Sequence, residues 1–143
     1  MEIVELKKDE ASLCKELRLR ALKDAPSAFA ETYEQAIELD NSYWESIANS
    51  MVEPNTQRMF IAKDSDKYIG SVYALTDQTN ATIGRLGGMW VDSLYRNKGI
   101  GKILFNSHRD WAKRLNIKFI KLWVENSESG ACLLYTSPSP RDS

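Results

Sequence analysis

The residues whose types and spacing best suit chemistry lie in a short loop between a predicted strand and a predicted helix. The loop ends in the pattern Arg96-x-x-Gly99-x-Gly101. Two glycines at the start of a helix let an anion approach the backbone closely, where unpaired N–H groups and the positive end of the helix face it. Lys98 and Lys102 add positive charge nearby. The pattern therefore predicts a binding site for a pyrophosphate group.

Two other kinds of phosphate-binding loop fit these residues less well. A Walker-type loop needs Ser or Thr where Ile103 stands, and another glycine where Arg96 stands. A dinucleotide-binding loop needs a small residue in place of Leu104 and an acidic residue about 20 positions further on, where Glu125 lies near that distance. A nucleotide-binding domain is therefore disfavoured. A plain tight turn stays open as an alternative for the two glycines.

The other reactive side chains do not form a recognisable catalytic or metal-binding set. The sequence has a single histidine, His108, and two cysteines, Cys14 and Cys132, without the spacing of a disulfide framework or a metal site. His108 falls outside the apolar stripe of its predicted helix, so we expect it to be exposed and inert. These features predict a protein without a metal ion, with reduced thiols, in the cytoplasm.

The segments around the loop predict one mixed α/β domain, with helices on the faces of a sheet. The predicted order is β-α-α-β-β-β-α-β-(α), with strands at residues 3–6, 59–62, 68–75, 83–91 and 119–124. We expect Asp9 to cap the first helix, residues 29–39 to be helical, and Ser42 with Glu45 to form a capping box. Asn126 or Ser127 is predicted to cap a last helix. A glycine pair at 87–88, inside a strand, indicates a bulge or the close approach of another group.

Length and composition set limits on the class of protein. A chain of 143 residues with 43% hydrophobic content suits a single domain. Its net charge of -1 offers no basic surface for nucleic acid, so we expect no nucleic-acid partner. No apolar run approaches the roughly 20 residues of a membrane span, so we expect no membrane partner.

The glycine loop and the residues before it resemble a known family. Residues 91–96, Val-Asp-Ser-Leu-Tyr-Arg, followed by Arg96-x-x-Gly99-x-Gly101, are similar to the cofactor-binding segment of the GNAT acetyltransferases, with Ser93 where proline is usual. Residues 19–29 also look like the first helix and following loop of that family. The resemblance covers residues 2–131.

The resemblance implies a cofactor, acetyl-CoA, and a place for it. In this family the fourth strand splays from the fifth, and the pantetheine arm of the cofactor lies in the gap. Backbone groups of Met89 and Val91 would pair with that arm, an N–H near Trp90 or Val91 would polarise the thioester carbonyl, and the N–H groups of residues 97–102 would hold the pyrophosphate. The glycine pair fits the bulge of the family's fourth strand. The implied cofactor-binding residues are Met89, Trp90, Val91, Arg96, Asn97, Lys98, Gly99, Ile100, Gly101 and Lys102.

The resemblance also implies the reaction, which is direct attack of an amine on the thioester. The acceptor would be a small-molecule amine or a protein N-terminus, and a homodimer is one expectation for the assembly. Three carboxylates are candidates for the base that takes the amine proton, and we assign none of them: Glu31, Glu34 and Asp77. Phe29, Tyr33 and Trp44 are candidates to line the acceptor pocket. A coenzyme-A-binding module without catalysis is the alternative function.

The last residues have an unusual composition. Reverse translation of residues 132–142 gives a DNA string that resembles a transposase adapter used in preparing sequencing libraries. We therefore expect residues 1–131 to be a GNAT domain that lacks its last two strands, and residues 132–143 to be a non-native tail. A natural Ser-Pro tail is the alternative. Aligned on Ala131, Leu134 and Tyr135 fall in the register of the tyrosine that is often the general acid in this family, and we interpret that match as coincidence.

Overall fold

The computed structural model describes residues 1–29, 31–52, 56–77, 79–123 and 131–136, which form one mixed sheet with helices on both faces. The strands are β1 (Glu2–Glu5), β2 (Arg58–Asp64), β3 (Lys67–Thr76), β4 (Ile83–Val91), β5 (Phe119–Trp123) and β6 (Ala131–Thr136). The helices are α1 (Ala11–Asp24), α2 (Tyr33–Ile37), α3 (Asn41–Ser50) and α4 (Ile100–Arg114), with 3-10 turns at Pro26–Ala28 and Ser93–Tyr95. The strands lie in the order β1-β2-β3-β4-β5-β6.

The mixed α/β class is confirmed, and the predicted order holds roughly as far as β5, with three helices between β1 and β2 where the predicted order has two. Neighbouring strands run antiparallel except β4 and β5, which are parallel because helix α4 connects them. The structure adds β6, which pairs antiparallel with β5 in the segment where we expected a non-native tail and no further strand. The origin of that segment stays a prediction. The last predicted helix, capped by Asn126 or Ser127, lies outside the described residues.

The sheet is buried on both faces, as strand β2 shows. Met59 and Ile61 pack into a core with α1 and α3, whereas Phe60 and Ala62 pack into a second core with α4. This alternation follows from the two-residue period of a strand. Burial on both faces explains why β2 is apolar at every one of these positions rather than at every second one.

The N-terminal helices begin and end at other residues than predicted. Glu10, not Asp9, precedes α1, and its side chain does not cap the helix. Only Tyr33–Ile37 of the predicted stretch 29–39 is α-helical, and Phe29 has an extended backbone and a buried side chain. Helix α1 ends at Asp24, directly before the sequence Ala-Pro-Ser.

The predicted capping box of α3 is wrong. Asp40 occupies the cap position, and its carboxylate accepts hydrogen bonds from the backbone at the start of the helix and from the hydroxyl of Ser42, the latter at 2.7 Å. A carboxylate is available two residues earlier than Ser42, so the helix starts there and Glu45 lies inside it. A capping box does occur at α2, where Thr32 and Gln35 exchange side-chain and backbone hydrogen bonds.

The expectation that His108 is exposed and inert is wrong as regards exposure. His108 is completely buried, its Nε2 lies 3.2 Å from the carbonyl oxygen of Arg85, and its ring packs edge-on against Trp111. The buried face of α4 consists of Ile100, Leu104, His108, Trp111 and Ala112. Sequence reasoning placed His108 outside the apolar stripe because it counted the apolar residues Ile103 and Leu115 as part of that stripe, and these two are 37% and 39% exposed. Burial lowers the pKa of His108 to about 4, so the ring is neutral near pH 7.

Within the described ranges, no helix has the length and apolar character needed to cross a lipid bilayer. The longest of these helices, α4, carries charged residues along its exposed side.

Candidate functional site

The first part of the site is an open edge of strand β4. The parallel ladder between β4 and β5 runs from the pair Ile83 and Phe119 to the pair Leu86 and Leu122. Strand β4 continues to Val91, and along residues 87–91 its edge toward β5 pairs with no other strand among the residues described. Backbone N–H and C=O groups that a sheet would normally satisfy are therefore available there to an extended ligand. Strand β5 is described only as far as Trp123, so the splaying of the fourth and fifth strands stays a prediction.

A β-bulge lies where this open edge begins. Tyr73 of β3 pairs with Gly87 and Ser71 pairs with Trp90, so two residues of β4, Gly88 and Met89, oppose a single residue of β3. Gly88 has a φ of +59°, and a Cβ atom there would lie only 2.7 Å from the ring of Tyr73. Both the backbone angle and the ring require glycine at this position. The bulge bends β4 at this point.

The second part of the site is the start of helix α4. Gly99 precedes the helix with a φ of +82°, and no side chain caps it. The N–H groups of Ile100, Gly101 and Lys102 point out of the first turn without intrahelical acceptors, and no other acceptor for them occurs in the described part of the chain. Such donors, together with the positive end of a helix, can bind an anion, and we call the start of α4 the anion site.

The strand end and the helix start lie against each other. A Cβ atom on Gly101 would lie 3.6 Å from the sulfur of Met89 and 3.9 Å from a methyl group of Val91. The ten predicted cofactor-binding residues are thus brought together in two groups, residues 89–91 on the open edge and residues 96–102 around the anion site. Asn97, with a φ of +63°, and the exposed Lys98 and Lys102 belong to the second group.

The guanidinium of Arg96 forms hydrogen bonds with two groups of the protein itself. Its Nε donates to the carbonyl oxygen of Val91 at 3.0 Å, and its Nη2 donates to the carboxylate of Asp24 at 2.8 Å. The same carboxylate oxygen accepts a hydrogen bond from the indole N–H of Trp90 at 2.9 Å. The Trp90 hydrogen bond, helped by the charge of Arg96, lowers the pKa of Asp24. Arg96 and Asp24 therefore form a clamp that fastens the loop to strand β4 and helix α1.

A second contact fastens helix α1 to the same region. Arg20 donates to the carboxylate of Asp92 at 3.0 Å, and its guanidinium lies 5.0 Å from the centre of the Trp90 ring. The other oxygen of Asp92 accepts from the backbone N–H of Leu94 at 2.9 Å. Sequence reasoning missed Asp24 and Arg20, because only the fold brings α1 beside a loop about 70 positions later.

The third part of the site is a cavity of about 400 Å³ beside the bulge. It lies between α1, α3 and the sheet. Its lining residues are Arg18, Glu31, Tyr43, Trp44, Ile47, Ser50, Met51, Gln57, Tyr73, Leu75, Gly87 and Gly88. Because Gly87 and Gly88 belong to both, the cavity reaches the point where the open edge of β4 begins.

One ion pair lies in the wall of this cavity. Arg18 Nε donates to the carboxylate of Glu31 at 3.0 Å, and the guanidinium packs over the ring of Phe29 at 4.7 Å. Glu31 is the one of the three predicted bases that lines the cavity. Glu34 is exposed on α2, and Asp77 accepts hydrogen bonds from the backbone and hydroxyl of Thr79, which lower its pKa.

Of the aromatic residues predicted to line an acceptor pocket, Trp44 does so. Phe29 lies behind Arg18, and Tyr33 belongs to a different cleft along α1. Tyr73 was not predicted, and it forms part of the lining. Its hydroxyl lies 3.9 Å from the sulfur of Cys14, and desolvation raises the pKa of Tyr73 well above 10 and also raises that of Cys14. Both groups are therefore neutral near pH 7.

In the part of the chain that the structure describes, no three His, Cys, Asp or Glu side chains are grouped closely enough to hold a metal ion.

Comparison with known proteins identifies relatives of this arrangement. The family model described as "Acetyltransferase (GNAT) family" matches residues 19–137. No match is found among the curated proteins.

Solved structures share the fold at low sequence identity. A GNAT-family acetyltransferase from Streptococcus pneumoniae is 22% identical with a TM-score of 0.69, and the match covers 85% of this chain and 72% of that one. A predicted acetyltransferase from Clostridium acetobutylicum, solved with acetyl-CoA, is 21% identical with a TM-score of 0.66 over 90% and 82% of the two chains. An aminoglycoside 6'-N-acetyltransferase complexed with coenzyme A is 20% identical with a TM-score of 0.61 over 85% and 61%.

Proposed function

The chain belongs to the GNAT acetyltransferase family, and on that basis we propose that it transfers the acetyl group of acetyl-CoA to the amino group of a small molecule or a protein N-terminus. The observation that carries this proposal is the open edge of β4 beside the uncapped start of α4. An extended ligand that ends in phosphates fits both at once.

The residues present fit acetyl-CoA, which neighbours of this fold contain. The backbone of Met89 and Val91 would pair with the pantetheine arm as an added strand would. The N–H groups of residues 97–102 would hold the pyrophosphate, and Lys98 and Lys102 would add attraction for its charge. Acetyl-CoA is the acetyl donor of the reaction, and it supplies a thioester that an amine attacks without a protein nucleophile.

The protein's contribution to such a reaction is placement and polarisation. An N–H of the strand near Trp90 or Val91 would donate to the thioester carbonyl, where negative charge develops. The bulge at Gly88 supports this role, since it turns the backbone at the point where the open edge meets the cavity. An amine in the cavity would then lie beside the polarised carbonyl.

Glu31 is the proposed base. It lines the cavity and accepts a hydrogen bond from Arg18, which holds its carboxylate in place. A carboxylate attracts the protonated amine and takes its proton, directly or through a water molecule. Neither Glu34 nor Asp77 lines the cavity, so neither is supported in this role.

A coenzyme-A-binding module without catalysis is the second candidate. The observation that favours it concerns the acid that would protonate the departing thiolate. Two tyrosines, Tyr43 and Tyr73, are among the described residues that line the cavity. Burial raises the pKa of both hydroxyl groups, which makes them weaker proton donors.

Calorimetric titration with acetyl-CoA, followed by a thiol-release assay with amine acceptors, tests the proposal. We expect binding, amine-dependent release of the thiol, and a loss of at least tenfold in kcat for Glu31→Gln with unchanged acetyl-CoA affinity. Glu34→Gln is the matched control and should keep wild-type kcat. Binding without thiol release for any amine would favour the module without catalysis, and absence of binding would exclude both.

A further inference from the structure

We propose that the cavity beside the bulge selects a small amine with one positive charge on an apolar or aromatic body, and that it discriminates against polycations such as polyamines and aminoglycosides. This inference rests on the proposed function and names the acceptor class for the same site. It stands on the charge, the walls, the size and the direction of the cavity.

The described residues that line the cavity carry one positive and one negative charge. Among its described lining residues, Arg18 and Glu31 are the charged ones, and they form an ion pair at 3.0 Å. Their side chains are 13% and 27% exposed, so solvent screens them only in part. Glu31 can attract one ammonium group, but a second ammonium group would be desolvated without a carboxylate and beside the charge of Arg18.

Four apolar side chains form part of the cavity wall, beside the polar side chains of Tyr43, Ser50, Gln57 and Tyr73. Trp44 and Met51 are almost fully buried, at 2% and 5% exposure, and Ile47 and Leu75 complete an apolar surface. A hydrocarbon chain or an aromatic ring would leave water by packing there. The hydroxyl groups of a sugar ring would lose hydrogen bonds with water on the same surface.

The size of the cavity limits the acceptor. A volume of about 400 Å³ lies at the low end of the roughly 300–1,000 Å³ found for ligand pockets. It accommodates one aromatic ring with a short chain. An acceptor of several sugar rings or a long peptide would have to leave most of its body outside.

The cavity also has a direction. Gly88 belongs to the bulge, and the Cβ position built on it lies 3.9 Å from Nη1 of Arg18, so the charged end of the cavity meets the bulge. Trp44 and Ile47 belong to α3, so the apolar end lies toward that helix. An amine with its nitrogen near Glu31 and its body against α3 would present the nitrogen toward the open edge of β4.

The test compares amines that differ in charge but not in size. n-Pentylamine and 1,4-diaminobutane have similar lengths, with one and two positive charges, and 2-phenylethylamine adds an aromatic body. In the thiol-release assay we expect kcat/KM to be at least tenfold higher for n-pentylamine than for the diamine, and highest for 2-phenylethylamine. A preference for the diamine, for kanamycin or for a peptide with a free N-terminus would overturn the proposal.

A pair of variants tests whether the cavity itself is the cause. Ile47→Glu adds a carboxylate to the half-buried apolar wall. Ile47→Gln adds an amide, which has nearly the same shape as that carboxylate and no charge. We expect the ratio of kcat/KM for diamine to that for monoamine to rise about tenfold in Ile47→Glu and to stay unchanged in Ile47→Gln. An unchanged ratio in both variants, with melting temperatures near wild type, would contradict the proposal.

Failure of the proposed function can be distinguished from failure of this inference. Acetyl-CoA binding by calorimetry reports on the open edge and the anion site. The change of tryptophan fluorescence on titration with 2-phenylethylamine or with 1,4-diaminobutane reports on the cavity, since Trp44 lines it. If acetyl-CoA does not bind, the proposed function fails, and the two amine titrations still decide the selectivity. Equal or tighter binding of the diamine would sink the inference even in an active enzyme.

Discussion

The carboxylate of Asp24 accepts a hydrogen bond from the guanidinium of Arg96 at 2.8 Å, across 72 positions of sequence. Asp24 is the last residue of α1, and Arg96 opens the loop that leads into α4. Helix α1 also supplies Arg18 to the cavity. Helix α1 therefore contacts two of the three parts of the candidate site. Its C-terminal end contacts the loop of the anion site, and its middle lines the cavity.

Asp24→Asn should weaken coenzyme binding. The change removes the charge that orients Arg96, although an amide oxygen can still accept from Trp90. Because Asp24 and Arg96 are 24% and 44% exposed, the pair is worth about 1 kcal/mol, and we expect the dissociation constant for acetyl-CoA to rise about fivefold. Calorimetry measures this. Asp66→Asn, in the exposed turn between β2 and β3, is the control with the same charge change. Equal affinities for the two variants would contradict the role of the clamp.

Gly88→Ala should be far more damaging than Gly87→Ala. A methyl group at Gly88 would lie 2.7 Å from the ring of Tyr73 and on a backbone with positive φ, whereas one at Gly87 would meet no atom within 4 Å. We expect a loss of about 2–4 kcal/mol in the free energy of unfolding for Gly88→Ala and less than about 1 kcal/mol for Gly87→Ala. Urea denaturation measures both. If the bulge requires glycine because of the ring, Tyr73→Leu in the Gly88→Ala background should recover part of the loss.

The two glycines of the loop should respond in opposite directions. Gly99 has a φ of +82°, so Gly99→Ala should cost about 1 kcal/mol through backbone strain. Gly101 lies in the first turn of α4 with ordinary van der Waals contacts at its Cβ position, so Gly101→Ala should be neutral or stabilise by up to about 1 kcal/mol. Thermal melting of the two variants beside wild type measures the difference. A more stable Gly99→Ala variant would show that the left-handed cap is not required.

His108 should make the protein sensitive to mild acid. Its pKa is about 4 in the folded chain against an ordinary value of 6.5, so the unfolded chain binds the proton more readily. The contribution of the neutral His108 ring to the free energy of unfolding is fully present above pH 6.5 and is lost as the pH falls from 6.5 toward 4. From this group alone we expect the free energy of unfolding to be about 2 kcal/mol lower at pH 5 than at pH 7.

His108→Leu removes the titrating group while keeping an apolar side chain in the buried position. Urea titrations of the variant at pH 7 and pH 5 should show a difference smaller than that of wild type by about 2 kcal/mol. The same pH dependence in both proteins would show that other groups cause the acid sensitivity.

Predictions from sequence succeeded where the determinant is local. The start of α4 depends on the backbone freedom of Gly99, and strand β4 is a stretch of apolar residues and glycines with one arginine, so both lie where the pattern placed them. The cap of α3 was misassigned because Asp40 and Ser42 both suit a cap, and local rules do not rank them. His108 was misassigned because its ring can be buried when neutral, which depends on what packs against α4.

The sequence by itself determined the mixed α/β class, the glycine loop and the family resemblance, because each depends on residues that are neighbours along the chain. Tertiary structure alone decided that Asp24 clamps Arg96, that Tyr73 makes glycine obligatory at position 88, and that Glu31 lies in a cavity with Arg18. Asp24 and Arg96 are 72 positions apart, and they meet because α1 packs against the sheet beside β4. Tyr73 meets Gly88 because β3 pairs with β4 across the bulge. No local propensity or periodicity encodes these contacts.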